Sequence, residues 1–209
     1  MNTETFQNVL MLVLVVTVAF YVLKKQREWH MGSSGSGSAK PSDNDTVVCV
    51  AVNNKREHRI LNKPDKDKAC ELLGEIEARI CRLVTHLKRK FPKNESVVRM
   101  SARLKHTMFN ESSGSTRFET YTKNKGDEMA FCLRDKSDRL HGINTLMYVA
   151  VHELSHAMSV TYHHTTEFSK NFKELLQYAA DMGIYTPIDY ARNPAPYCKI
   201  MIDSNILYS

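Results

Sequence analysis

His152 and His156 are four residues apart in the stretch NTLMYVAVHELSHAMSVTYHH, Asn144 to His164, with Glu153 between them. On a helix, residues i and i+4 lie one above the other, so both imidazoles can offer a nitrogen to one metal ion. Glu153 sits beside that pair and is free to take a proton from a water at the metal's open position. This is the HExxH arrangement of zinc hydrolases. Two histidines and a glutamate on a core-facing helix are costly to desolvate unless coordinated or hydrogen-bonded, which favours a metal over an accidental polar stripe.

Catalytic zinc takes three protein ligands and leaves one position for water. His163 and His164 follow just past the motif, and adjacent residues point in different directions, so one of them is expected to ligate. Glu167 and Glu174 are the competing carboxylates. Spacing does not choose among these four. A developing oxyanion needs a donor besides the metal. Tyr162, Tyr185, Tyr190 and Tyr197 are the candidates, although a tyrosine is more often a packing residue with its hydroxyl at the surface. An extended peptide would pair with an exposed sheet edge, along Arg117–Thr122 or Glu128–Arg134.

The elements that must hold these residues read as α+β. Thr46–Val52 is β-branched and predicts a strand. Between Asp65 and Phe91 apolar residues recur every three or four positions, which predicts a long amphipathic helix, and a shorter helix is expected over Glu95–Phe109. Glu111–Thr116 is a loop. RFETYT and EMAFCLR flank a tight turn at Asn124–Asp127 as two strands. Asn144 is the expected N-cap of the motif helix, and Ser169 that of a second helix ending near Gly183. The remainder, with three prolines, is expected to wrap the surface as an extended tail. Together these predict a small β-sheet packed against the HExxH helix and further helices.

With 209 residues the chain accommodates one well-buried domain, not two. A net charge of +6 would suit nucleic acid or anionic lipid, but the basic residues are interspersed with acids. The basic tail His86–Lys90 is explained by the helix dipole. Val9–Leu23 is uncharged over fifteen residues. It rises roughly 22 Å as a helix, against a hydrocarbon core of about 30 Å. Lys24 and Lys25 reaching back to the headgroups narrow the gap. Basic residues downstream, Lys24, Lys25 and Arg27, predict the following chain in the cytosol. The expected organisation is an anchor over 1–31, a flexible linker over 32–45 rich in Gly and Ser, and a catalytic domain over 46–209. Five cysteines, an odd number without a CxxC pair, predict mostly reduced thiols, with room for a single disulfide.

VHELSHAMSVTYHHTTEF followed by FKELLQYA resembles the active-site region of the WLM and SprT-like zinc metallopeptidases. From TYTKNKGDEMAFCLRD through NTLMYVAVHELSHAM, GIYTPIDYARNPAPYC and IMIDSNIL, the chain is similar to an uncharacterised family of metallopeptidase-like proteins of large DNA viruses and some of their hosts. The likeness runs from about Phe118 to Leu207, under half the chain. It implies a zincin-like fold with one catalytic zinc, His152 and His156 as ligands and Glu153 as the catalytic glutamate. In those families the third histidine stands four positions before a phenylalanine, which picks His164, four before Phe168, over His163. The twelve-residue step from His152 to His164 is longer than the WLM spacing. WLM and SprT-like proteases cleave proteins crosslinked to DNA, but this sequence has no zinc ribbon or evident DNA-binding motif to extend that substrate here.

The expected activity is that of a membrane-anchored zinc endopeptidase acting on protein or peptide, on a viral or host internal membrane. The alternative is a zincin-fold, membrane-tethered structural or adaptor protein with weak or no catalysis. The presence of Glu153 speaks against that alternative, since zinc binding and folding do not need it.

Overall fold

The computed structural model describes residues 45–112 and 120–208. All belong to the second of two units into which the chain divides, Ala39–Ser209. The expected anchor Val9–Leu23, nearly all of the linker, and Arg117–Glu119 lie outside the described residues. Among those described, no helix is long and apolar enough to cross a membrane.

Chain order is β1 (Thr46–Val50), β2 (Glu57–Leu61), α1 (Lys66–Lys90), α2 (Glu95–Leu104), β3 (Met108–Glu111), β4 (Tyr121–Lys123), β5 (Glu128–Phe131), α3 (Ile143–Met158), α4 (Thr166–Asp181), β6 (Ala195–Tyr197) and β7 (Ile200–Ile202). The larger sheet has the order β1-β2-β3-β5-β4. Its outer pairs, β1 with β2 and β4 with β5, are antiparallel, while β2, β3 and β5 run parallel. β4 is therefore an edge strand and β5 an interior one.

α1 is the central support. Ala69, Leu73, Ile76, Ile80, Leu83, Val84 and Leu87 form one buried stripe at helical spacing, packed on the sheet and on α3. Gly74 lets the helix approach the β1–β2 turn, since a Cβ there would come within 2.6 Å of the Ala51 Cβ. Lys88, Arg89 and Lys90 fill the last turn, where cations oppose the helix dipole. Lys90 Nζ also lies 4.8 Å from the centre of the Tyr178 ring. Arg134 ties the sheet to α1, bonding Glu111 on β3 at 2.8 Å and Asp65 ahead of α1 at 2.6 Å.

The expected α+β layout is present, with five differences in detail. β2 was not predicted. The helix expected to reach Phe109 ends at Leu104, because Thr107 turns the chain by donating through its hydroxyl to the Arg103 and Gly126 carbonyls. Phe109 then becomes a core residue of β3, stacked on Phe131 at 6.0 Å. α3 is capped by Gly142, not Asn144, whose side chain instead holds both Thr186 backbone groups, at 2.7 and 2.9 Å. α4 starts one turn early, at a Thr165 cap in place of Ser169. The tail is not a surface wrap, since Tyr185, Tyr190 and Tyr197 are buried and β6 and β7 pair as a hairpin.

The expectation of mostly reduced thiols is also overturned. Cys49–Cys70 joins β1 to α1, and Cys132–Cys198 joins the end of β5 to the β6–β7 hairpin, leaving Cys81 free. Each pair has its Cα atoms 6.3 Å apart although separated by 21 and 66 residues in sequence. That is normal bonding reach, produced by packing that linear spacing does not reveal.

Candidate active site

α3 buries Leu146, Met147, Ala150, Val151, Leu154 and Ala157 against the core. Its other face carries Tyr148, His152 and His156, one helical turn apart. Beyond Met158 the chain must reverse for a further histidine to face this pair. Cations hold the end of α3: Arg103 donates to the Ala157 and Ser159 carbonyls at 2.7 and 3.1 Å, and Arg99 to that of Met158 at 3.2 Å. They bond carbonyls that the helix leaves unpaired, at the negative end of its dipole. Lys125, in the β4–β5 turn, donates to the carbonyls of Ser159, Val160 and Thr161. From the opposite side Glu167 accepts the Val160 and Thr161 amides, both at 2.9 Å, and the Thr161 hydroxyl at 2.6 Å. Clamped between a lysine and a glutamate, the loop passes through a left-handed residue, His163 (φ 66°), and returns His164 over the helix.

His164 Nε2 then lies 3.0 Å from His152 Nε2. One ligating nitrogen each from His152, His156 and His164 falls within 4.8 Å of the others. Two nitrogens bound to one tetrahedral zinc at about 2.0–2.1 Å stand roughly 3.3 Å apart, so the His152–His164 spacing suits a shared ion. Phe168 packs against all three rings, with centroids at 4.8, 4.4 and 4.7 Å from His152, His156 and His164. Burial, reinforced by the neighbouring imidazoles, pushes the His152 pKa down to about 3 and that of His156 to about 4. Both are neutral at pH 7 and present the lone pairs that a metal requires.

Glu153 is 5% exposed. Burial raises its pKa to about 7, opposed by the Thr122 hydroxyl, which donates to Oε2 at 2.7 Å. With His152 it lines a cleft of about 450 Å³ whose other walls are Tyr148 and Val149 of α3, Thr120 ahead of β4, and Tyr197 with residues 200–204 around the β6–β7 hairpin.

The other sequence candidates lie elsewhere. His163 and Glu174 are exposed and outside the histidine cluster, and Glu167 acts on the loop backbone. Tyr162 is 69% exposed beneath Lys125, whose Nζ is 4.0 Å from the ring centre. Tyr185 is buried, its hydroxyl accepting from Asn205 at 2.9 Å and from the Ile188 amide at 3.3 Å, and neither it nor Tyr190 lines the cleft. Tyr197 does, with its hydroxyl bonded to that of Thr120. Sequence reasoning missed Tyr148, Thr122 and Lys125. Tyr148, one turn before His152, was legible from the same i, i+4 spacing. The other two come from the β-hairpin, and no local pattern links them to the motif.

No family profile matches the chain. In fold it is similar to Wss1 from Saccharomyces cerevisiae, at a TM-score of 0.43 and 22% identity over 59% of this chain and 88% of that one. Wss1 from S. pombe matches at 0.39 and 19% over 57% and 92%. A 70-residue segment is 43% identical to uncharacterized protein 042R of Invertebrate iridescent virus 3, spanning 33% of this chain and 43% of that relative. Over 212 aligned residues, 99% of this chain and the whole of the relative, the sequence is 31% identical to uncharacterized protein R325 of Acanthamoeba polyphaga mimivirus. The chain belongs to the family of that mimivirus protein.

Proposed function

We propose that this protein is a zinc-dependent endopeptidase, with His152, His156 and His164 as the zinc ligands and Glu153 as general base. The observation that carries this reading is the convergence of three imidazole nitrogens within 4.8 Å, one of them, His152, lining a cleft together with the buried Glu153 carboxyl. Zinc bound there would polarise the scissile carbonyl and lower the pKa of an attacking water. Glu153 is positioned as the proton carrier, buried at the cleft beside His152. With zinc bound, Glu153 would take a proton from that water and return it to the leaving amine, while Thr122 orients one of its oxygens. Of the two strands expected to meet an extended substrate, β4 is a sheet edge and β5 is interior. Tyr197 is the candidate oxyanion donor among the four tyrosines, because it alone of them lines the cleft.

We further propose a single-pass membrane protein anchored through Val9–Leu23. The basic flank favours a cytosolic domain, whereas two disulfides are the usage of an oxidising compartment. The disulfides count against the cytosolic side.

The test is zinc analysis and peptide-library digestion with the full-length protein and its Glu153→Gln variant. About one zinc per chain is expected in both, with cleavage by wild type alone. Equal cleavage by both removes Glu153 from the reaction. Zinc without cleavage by wild type transfers the assignment to the adaptor reading.

A further inference from the structure

One wall of the cleft over His152 and Glu153 is the β6–β7 hairpin, and it is built to stay in place. Cys198 is bonded to Cys132 at the end of β5, and its amide donates to His141 Nε2 at 3.1 Å. Tyr197 and Ile202 are buried, and the His141 ring centre lies 5.1 Å from that of Tyr197. The facing wall is fixed to it, since the Tyr148 hydroxyl donates to the Ser204 carbonyl at 3.1 Å.

On this rigid wall Ile200 is 60% and Met201 54% exposed, although both line the cleft. Tyr148 and Val149 of α3 line the same cleft. Large apolar side chains held open at the lip of a concave site are the mark of a surface completed by a ligand. Methionine is suited to the task, because its unbranched, polarizable chain adapts to different shapes. The carboxyls lining the cleft are Glu153 and Asp203, beside the His152 imidazole.

We propose that this cleft selects polypeptides with a bulky apolar side chain, aromatic or long aliphatic, next to the scissile bond, with Ile200 and Met201 as specificity-determining residues. The inference rests on the peptidase reading. The cleft wall includes both His152 and Glu153, so the side chain that fills it is next to the bond that reacts.

The experiment pairs two readouts on the full-length protein. Digestion of a peptide library in the presence of zinc is expected to enrich Phe, Tyr, Leu or Met about tenfold over Ala at one position flanking the cut. Met201→Leu is expected to keep that preference. Met201→Asp, at a position 54% exposed, is expected to lose it and gain Lys or Arg. Cleavage without apolar enrichment, or enrichment unchanged by Met201→Asp, overturns the inference and leaves the peptidase assignment standing. The second readout is NMR titration with N-acetyl-phenylalaninamide against N-acetyl-alaninamide. Preferential shifts at Tyr148 and Val149, lost in Met201→Asp, without any cleavage would keep the apolar subsite but overturn the peptidase reading and with it selection at a scissile bond. Absence of both cleavage and preferential binding overturns both.

Discussion

The Thr122 hydroxyl donates a 2.7 Å hydrogen bond to Oε2 of Glu153, linking the edge strand β4 to the carboxyl of the motif helix. This bond lowers a pKa that burial has raised. Thr122→Val removes the opposing influence, so the Glu153 pKa rises further. The acid limb of the kcat/KM profile is expected to move to higher pH, with zinc content unchanged. A profile that does not move separates Thr122 from the general base.

Glu167 is held well below the usual carboxylate range, at about 2, by the Thr161 hydroxyl and the Val160 and Thr161 amides. A folded pKa below the unfolded one means that the clamp acts fully above pH 4.5 and is lost as pH falls toward 2. In Glu167→Ala the loop carrying His164 loses these bonds at every pH. Zinc affinity is expected to fall by about 10–100-fold, the range for partners that orient a ligand. Competition with a chelator measures it, and an unchanged affinity would show that Lys125 alone positions the loop.

His152 and His156 are kept neutral in the fold, with pKa values near 3 and 4, whereas an unfolded histidine titrates near 6.5. The unfolded chain binds more protons below that point. Their contribution to metal-free stability is complete above pH 6.5 and is lost as pH falls toward 4 and then 3. Glu153 has the opposite sign, because its raised pKa favours the folded state below pH 4.5 and loses that effect as pH rises through about 7. Urea unfolding of the chelator-treated protein is expected to show a steeper loss on acidification for Glu153→Gln than for wild type. Parallel curves would contradict the burial of that carboxyl.

Alkylation under denaturing conditions is expected to modify one cysteine, Cys81, before reduction and five after it. Replacing the Cys132–Cys198 pair with serines opens a 66-residue loop and is expected to cost about 2–4 kcal/mol of unfolding free energy. Because that bond holds the cleft wall, KM for peptides is expected to rise more than kcat falls. Five reactive thiols in the untreated protein would rule out both pairings.

The local part of this site was readable and the long-range part was not. Residues four apart on one helix face gave His152, His156 and the position of Glu153 directly, and periodicity gave α1 to within a residue at each end. His164, the histidine that joins the cluster, was singled out only by the resemblance to the WLM and SprT-like peptidases, in which a phenylalanine follows the third histidine by four positions, as Phe168 does here. The segment EHRIL of β2 carries two charges and a histidine in five residues, so its strand character emerges only when His58 and Ile60 are buried. The tail looked irregular because its order comes from Tyr185, Tyr190 and Tyr197 entering the core and from one disulfide, not from any repeat. Asn144 was misjudged because its side chain has a better partner forty-two residues away, at Thr186. These three misses are contacts between segments distant in sequence, whereas the Thr165 cap is a local bond to the Phe168 amide.

The most direct test of the central claim is zinc content, measured by mass spectrometry on wild type, His163→Ala and His164→Ala. About one ion per chain is expected in wild type and His163→Ala. In His164→Ala the affinity is expected to drop by more than the roughly 10–100-fold that outer-shell partners carry. Undiminished zinc in His164→Ala, or none in wild type, would contradict the three-histidine centre.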